Sequence, residues 1–202
     1  ERGYEKKPQR LESKVPRGTF TTKLGKTFPK HILEADTVIV TCGMTNFEES
    51  NYANKSSRAF ADWNKGHRIE RGHLDKHPEG KKIFLESFKK NFPTLCEDRN
   101  IVLVDCTPFN DPDGDKSLRV HLSRHPETLR KIVNSADYPL VNAELKRLKA
   151  REKDLIINVC KSGKHRAVGN GESQVEAIEV YHHGKVVIMD LQAETHWGNL
   201  CK

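Results

Sequence analysis

The sequence lacks any apolar run near the length of a membrane span, which needs about 18 or more consecutive apolar residues. Its five cysteines are an odd number, and no two of them form a Cys-x-x-Cys pair. This usage predicts reduced thiols and an intracellular protein, cytoplasmic or nuclear, and it argues against a secreted disulfide framework. The Gly-x-x-x-x-Gly-Lys-Ser/Thr loop of P-loop nucleotide hydrolases is also missing, so ATP hydrolysis is not expected.

Positive charge is concentrated at one end of the chain. The 202 residues carry a formal charge of +7, and the first thirty hold nine lysines and arginines against three glutamates. Because proline and glycine also interrupt this stretch, we predict a basic N-terminal extension over residues 1–34 and a single domain over residues 35–202. Such an extension is typical of a segment that binds nucleic-acid phosphates, and it fits a disordered tail equally well.

Short β-branched runs alternate with helical patterns after residue 35. The predicted strands are residues 36–43, 100–106, 154–160 and 185–190, and the predicted helices are residues 57–63, 80–92, 140–153, 167–183 and one that begins at Pro126. This alternation predicts an α/β fold with a mostly parallel sheet and flanking helices. In such sheets, ligands bind at the carboxyl ends of the strands.

The most specific motif follows the third predicted strand. A strand–loop–helix segment over Cys160–Arg166 predicts an anion-binding loop whose backbone N–H groups turn toward one point. The arginine fork can bind two phosphate oxygens, and a glycine lets the backbone approach an oxyanion closely. The predicted ligand-binding residues of the loop are Lys161, Ser162, Gly163, Lys164, His165 and Arg166. Thr107, His121 and Arg124 follow the second predicted strand, and we expect them to face the same site.

The same loop resembles a known family. Residues 160–168 are similar to the Cys-Thr-Gly-Gly-x-His-Arg-Ser-Val signature of the C-terminal domain of the RNase adapter protein RapZ family, with matches at Gly163, His165, Arg166 and Val168. The similarity extends over about residues 100–192, and Thr107 stands where that family has an arginine. The resemblance implies an α/β domain that binds RNA or a phosphosugar-like metabolite through the loop, without established chemistry of its own.

An enzymatic alternative uses the same residues. Cys-x-x-Gly-x-x-Arg is also the skeleton of cysteine-dependent phosphatases, in which a thiolate attacks phosphorus and the arginine holds the phosphate oxygens. Cys160 would then be the nucleophile, Arg166 the phosphate clamp, and Asp105, Asp111 or Asp137 the general acid. Val159 and Ala167 replace the usual flanking His and Ser/Thr. The sequence therefore leaves open whether the protein is an enzyme.

Two further clusters were considered as metal sites. His67, His73 and His77, with Asp75, do not fit the spacing of a helical ligand pair with a carboxylate partner, and the pattern favours a solvated polar loop. Residues 111–115 begin like a calcium loop but lack its glycine and terminal glutamate, which indicates an acidic turn. The sequence thus predicts no metal and no cofactor. RNA or a phosphorylated small molecule is the expected partner, without a membrane, and a homo-oligomer is left open.

Overall fold

The computed structural model of the chain describes residues 19–21, 27–45, 47, 58–119, 121, 123–136, 138, 153–181 and 184–192. Most of the predicted N-terminal extension, residues 140–152 of the predicted helix over 140–153, and Asp137 lie outside these described residues. No helix among the described residues is long and apolar enough to cross a membrane.

The described residues confirm an α/β fold. The strands are β1 (Thr19–Thr21), β2 (Thr27–Pro29), β3 (Thr37–Gly43), β4 (Asn100–Asp105), β5 (Asp154–Cys160) and β6 (Val186–Asp190). The helices are α1 (Ala59–Lys65), α2 (His73–Lys76), α3 (Pro78–Asn91), α4 (Pro93–Cys96), α5 (Pro126–Val133) and α6 (Arg166–Tyr181). Short 3-10 turns cover Lys30–Ile32 and Pro112–Gly114.

The strands β3 to β6 form a four-stranded parallel sheet in the order β4–β5–β3–β6. Every residue of the central strand β5 is buried, which explains its continuous apolar run in the sequence. The register places Gly43 of β3 opposite Cys160 of β5, so these neighbouring strands end side by side. The loops that follow them therefore meet at the carboxyl edge of the sheet.

Helices cover both faces of the sheet. On one face, an aromatic cluster that includes Phe60, Phe84 and Phe88 packs with Val40 and Ile157 of the central strands. On the other face, Ile132 of α5 and Ala167 of α6 pack with Ile39, Ile156 and Cys160. The alternating side chains of β3 and β5 thus feed two hydrophobic layers, as a sheet buried on both sides requires.

Several elements differ from the sequence predictions. The strands β1 and β2 pair antiparallel inside the predicted N-terminal extension, and the half-buried Phe28 packs on the aromatic cluster. The sequence predicts an extension with little core of its own there, because the segment is polar, basic and interrupted by proline and glycine. Pro93 ends α3 as predicted, but it also occupies the first turn of the short helix α4. Proline is favoured in a first turn, since the N–H groups there have no partner within the helix.

Candidate functional site

The loop after β5 is tied to the loop after β3. The backbone N–H of Met44 donates to the carbonyl of Cys160 (2.8 Å), and that of Thr45 donates to the carbonyl of Lys161 (3.0 Å). Gly163 has a φ of +71°, and a Cβ at this position would lie 2.7 Å from the backbone nitrogen of Gly43. The glycine therefore permits close contact between two loops of the protein itself, whereas the sequence suggested contact with a bound oxyanion.

Cys160 lies beneath this loop and faces a hydrophobic layer. Its side chain is only 2% exposed and packs in the layer that contains Ile156 and Ala167. The backbone N–H of Gly163 donates to its sulfur over 3.3 Å. Cys106 lies in the same layer, where burial, followed by the nearby Cys160, raises the pKa of its thiol well above the usual value. The environment thus disfavours a charged thiolate at Cys106.

Arg166 begins helix α6 and reaches across to the end of β4. Its Nη1 donates to the backbone carbonyl of Thr107 over 2.8 Å, and its Nη2 lies 3.2 Å from Oδ2 of Asp111. The carboxylate of Asp111 is partly exposed, whereas the arginine side chain is mostly buried. The guanidinium is therefore held in one orientation by a carbonyl, and its charge is balanced by a carboxylate that solvent can reach.

Lys164 and His165 hold the acidic turn after β4. The ammonium group of Lys164 donates to the carbonyl of Arg119 and lies 3.8 Å from Oδ1 of Asp113. The Nε2–H of His165 donates to the carbonyl of His121 over 2.7 Å, since a carbonyl can only accept. Burial lowers the pKa of His165, against the opposing effects of the His121 carbonyl and Asp113. Both side chains thus bind the backbone of residues 119 and 121. The sequence predicted instead that His121, Lys164 and His165 would bind one ligand together.

Asp105 and Thr107 organise the start of α2. The buried carboxylate of Asp105 accepts from the hydroxyl of Thr107 (2.7 Å) and from the backbone N–H groups of Thr107 (2.9 Å) and Leu74 (2.8 Å). The hydroxyl of Thr107 in turn accepts from the backbone N–H groups of Gly72 (2.8 Å) and His73 (3.2 Å). Asp105, the predicted general acid of the phosphatase alternative, is therefore occupied by hydrogen bonds that fix the backbone.

Arg124 belongs to a different polar network. It lies 2.7 Å from Glu172 of α6 and 2.5 Å from Asp190, whose other carboxylate oxygen accepts from Thr41. This network joins the ends of β3 and β6. His121 stacks on His125 with ring centroids 4.1 Å apart. Neither Arg124 nor His121 lines the cleft described next.

A cleft opens at the carboxyl ends of β4 and β5, and we call it the β4–β5 cleft. It has a volume of about 380 Å³ and is lined by Ile69, Glu70, Arg71, Thr107, Phe109, Asn110, Asp111, Lys161 and Arg166. Of the predicted ligand-binding residues, the structure brings Thr107, Lys161 and Arg166 together here. Ser162, Gly163, Lys164 and His165 stand beside the cleft without lining it.

Sequence reasoning missed the other walls of this cleft. Phe109, Asn110 and Asp111 follow the same strand end as Thr107, and this position is a signal in the sequence, which otherwise indicates only an acid and a turn residue at Asp111. Residues 69–71 come from the long connection between β3 and β4. No periodicity or motif in that connection indicates that it returns to the sheet edge.

Asp111, Asp113 and His165 each offer one ligand atom, all within 4.8 Å of one another. The carboxylates already face positive charge, because Arg166 lies 3.2 Å from Asp111 and Lys164 lies 3.8 Å from Asp113. A divalent cation would have to compete with both groups, so this cluster is a poor metal site.

Comparisons of the chain with protein-family models, with curated proteins and with solved structures give no match. The function must therefore be inferred from the chemistry of the site.

Proposed function

We propose that this chain is a non-enzymatic binding domain that recognises a phosphate group in the β4–β5 cleft. The group would belong either to a phosphorylated small molecule or to an RNA backbone. The observation that carries the proposal is the placement of Arg166, whose guanidinium lines the cleft while the Thr107 carbonyl holds it at 2.8 Å. Lys161, from the same loop, adds a second positive charge to the cleft.

The chemistry of the cleft suits an anion. Arg71, Lys161 and Arg166 contribute positive charge, against Glu70 and Asp111. Glu70 also pairs with Lys76 at 3.2 Å, which reduces its effect on a ligand. The guanidinium is fixed by the Thr107 carbonyl and paired with Asp111, and its remaining N–H groups match the oxygens of a phosphate. The carboxyl edge of a parallel sheet is, moreover, where ligands of α/β folds bind.

The volume of the cleft favours a phosphorylated small molecule over an RNA backbone. A volume of about 380 Å³ is within the range of small-molecule sites, about 300–1,000 Å³. The cleft therefore suits a phosphomonoester with a sugar-sized body, whereas an RNA strand would also need contacts outside it. The resemblance of residues 160–168 to the RapZ C-terminal domain supports the same class of ligand.

A cysteine phosphatase remains the second candidate, because one observation favours it. The Gly163 N–H lies 3.3 Å from the Cys160 sulfur, in the direction that would stabilise a thiolate. Attack on phosphorus would nevertheless require the sulfur to reach the ligand. Cys160 is buried and does not line the cleft, so binding without chemistry is the better-supported function.

The test is calorimetric titration of the protein with inorganic phosphate, a panel of sugar phosphates and nucleoside monophosphates, and a single-stranded RNA. Arg166→Ala should lower phosphate affinity at least about tenfold, since hydrogen bonds to charged groups contribute about 1.5–3 kcal/mol. Lys161→Ala changes an exposed side chain and should also weaken binding without harming the fold. Arg130→Ala, on the exposed face of α5, is the matched control.

The salt dependence of the affinity distinguishes an RNA backbone from a phosphorylated small molecule. RNA binding should weaken steeply as salt rises, whereas a single phosphomonoester should show a shallow dependence. If neither class of ligand binds, or if Lys161→Ala and Arg166→Ala bind like the wild-type protein, the proposal is wrong.

A further inference from the structure

The connection between β3 and β4 brings three histidines together beside Trp63. The ring centroids of His73 and His77 are 5.0 Å apart, those of His67 and His77 are 5.4 Å apart, and those of His67 and His73 are 6.4 Å apart. Trp63 stacks on His67 at 4.1 Å. The sequence predicted a solvated polar loop here, and for His73 that prediction is wrong, because its ring is fully buried.

The ring of His73 is buried, and its two nitrogens make no hydrogen bond among the described residues. The exposed fraction of the residue is 0%. Buried polar atoms are usually satisfied, so a ring with two unpaired nitrogens requires an explanation. A metal ion bound to one of these nitrogens would give it the partner that it lacks.

His67 makes a hydrogen bond of the kind that metal-bound histidines make. Its Nδ1 lies 2.8 Å from the backbone carbonyl of Trp63. Because a carbonyl only accepts, Nδ1 carries the proton and the lone pair lies on Nε2. Metal-bound histidines characteristically donate their second ring N–H to a carbonyl or a carboxylate in this way. The exposed position of His67 also leaves its ring accessible from solvent.

We propose that His67, His73 and His77 bind a divalent transition-metal ion such as Zn²⁺. A tetrahedral ion with Zn–N bonds of about 2.0–2.1 Å would place the ring centroids about 5 Å apart. Two of the observed separations, 5.0 and 5.4 Å, agree with that value, and the third is 6.4 Å.

Binding requires a small rearrangement of the rings. Among the described residues, the three rings do not yet place one nitrogen each within 4.8 Å of one another. The ring of the exposed His67 and that of the half-buried His77 must therefore turn toward His73. Water would complete the coordination from the solvent side, as it does where only three protein ligands are present.

The ligand type decides which cation the site would bind. The buried carboxylate of Asp105 also interacts electrostatically with His73. Imidazole ligands suit Zn²⁺, Co²⁺, Ni²⁺ and Cu²⁺, whereas Mg²⁺ and Ca²⁺ prefer oxygen ligands. The site should therefore discriminate against the alkaline-earth ions.

Metal-free protein, prepared with a chelator, can be titrated with Co²⁺ and with Zn²⁺. We expect one equivalent of Co²⁺ to produce the visible absorption of a tetrahedral centre and to quench the fluorescence of Trp63. Trp197→Phe removes the other tryptophan, so that the quenching reports on Trp63 alone. Zn²⁺ should displace Co²⁺, and Mg²⁺ should not.

His67→Ala and His77→Ala change accessible side chains and should each weaken metal binding by about 100-fold or more, since even second-shell changes cost about 10–100-fold. His73→Ala should do the same, with circular dichroism to check its fold. Asp113→Asn tests the competing acidic cluster and should leave binding unchanged. Absence of saturable one-to-one binding, or binding that survives the double His67→Ala/His77→Ala change, would overturn the proposal. Loss of binding in Asp113→Asn alone would place the ion in the acidic cluster and would also overturn it.

Discussion

The Nη1 of Arg166 donates to the backbone carbonyl of Thr107 over 2.8 Å, which joins the first residue of α6 to the loop after β4. The two loops that border the β4–β5 cleft are thereby fixed to each other. Asp111 faces the other terminal nitrogen of the same guanidinium at 3.2 Å. This pair places a competing carboxylate where the proposed phosphate would bind.

Asp111→Asn should therefore tighten phosphate binding. The change removes a negative charge from the cleft, while the amide keeps the size of the side chain. Arg166 stays anchored by the Thr107 carbonyl. We expect an affinity gain of about threefold to tenfold, because a partly exposed charge pair contributes about 1 kcal/mol.

Titration of both proteins with the same sugar phosphate measures this effect. Asp115→Asn, in the same acidic turn, is the control and should leave the affinity unchanged. Weaker binding in Asp111→Asn would show that the carboxylate orients Arg166 for the ligand, contrary to this account.

The strands were predictable because burial on both faces produces uninterrupted β-branched runs. For β5 the predicted and observed bounds coincide at Asp154–Cys160. The loop after β5 was also recognisable, since glycine and cationic residues follow a strand directly. The groups that this loop binds could not be recognised from the sequence. Lys164 and His165 bind carbonyls of Arg119 and His121, and only the folded path of the intervening chain brings these groups together.

The histidine cluster could not be predicted from the sequence either, because the folded chain brings its members together. His73 and His77 are four residues apart, at the two ends of the short helix α2, whereas His67 comes from the loop before that helix. Their approach depends on Asp105 and Thr107, which accept from the backbone N–H groups at the start of α2. That contact joins residues about thirty positions apart, and no local pattern encodes it.

Cys160→Ser should leave phosphate binding within about twofold of the wild-type affinity. The sulfur is buried beneath the loop, Cys160 is not among the residues that line the cleft, and a serine oxygen can also accept from the Gly163 N–H. Titration and an aryl phosphate assay between about pH 5 and 8 measure binding and turnover together. Turnover by the wild-type protein that disappears in Cys160→Ser would instead support the phosphatase alternative.

Stability should fall as the pH is lowered, in part because of His165. Burial holds its pKa below the unfolded value of about 6.5, so the unfolded chain binds more protons below that pH. The free energy of unfolding should thus decrease as the pH falls below about 6.5, until the folded pKa is passed. Lys164 adds to this effect, whereas Asp113 and Asp111 oppose it.

Urea unfolding at about pH 7 and about pH 5 measures the effect, and His165→Gln is the informative variant. Glutamine can still donate to the His121 carbonyl but does not titrate, so the variant should lose less stability between the two pH values. An equal loss in both proteins would exclude His165 as a source of the pH dependence.

Arg99→Met should destabilise the fold. Its guanidinium donates to the carbonyls of Ala35 (2.9 Å), Leu33 (3.0 Å), Asp154 (3.3 Å) and Asp36 (3.4 Å), at the amino ends of β3 and β5. Methionine keeps the apolar stem but leaves these carbonyls without their donor. We expect a loss of about 2–3 kcal/mol in the free energy of unfolding, because such hydrogen bonds are charge-assisted and only partly exposed.

Arg130→Met is the matched control for Arg99→Met. Arg130 lies on the exposed face of α5, 3.8 Å from Glu127, and an exposed ion pair of this kind contributes little. Equal urea midpoints for the two variants would contradict the role given to Arg99.

Gly163→Ala should destabilise the loop after β5. The position has a φ of +71°, and an added Cβ would lie 2.7 Å from the Gly43 nitrogen and 2.8 Å from Oε1 of Gln192. Conformational strain and overlap together should cost about 2–4 kcal/mol. Gly114→Ala is the control, since a Cβ there meets nothing within 4 Å and the residue lies in an exposed turn.

Gly163→Ala should also weaken phosphate binding, even where the protein remains folded, because the two loops that meet at Gly163 also fix Lys161. Calorimetric titration at a temperature well below the unfolding midpoint separates the two effects, and unchanged affinity in a folded Gly163→Ala protein would show that the loop contact does not position Lys161.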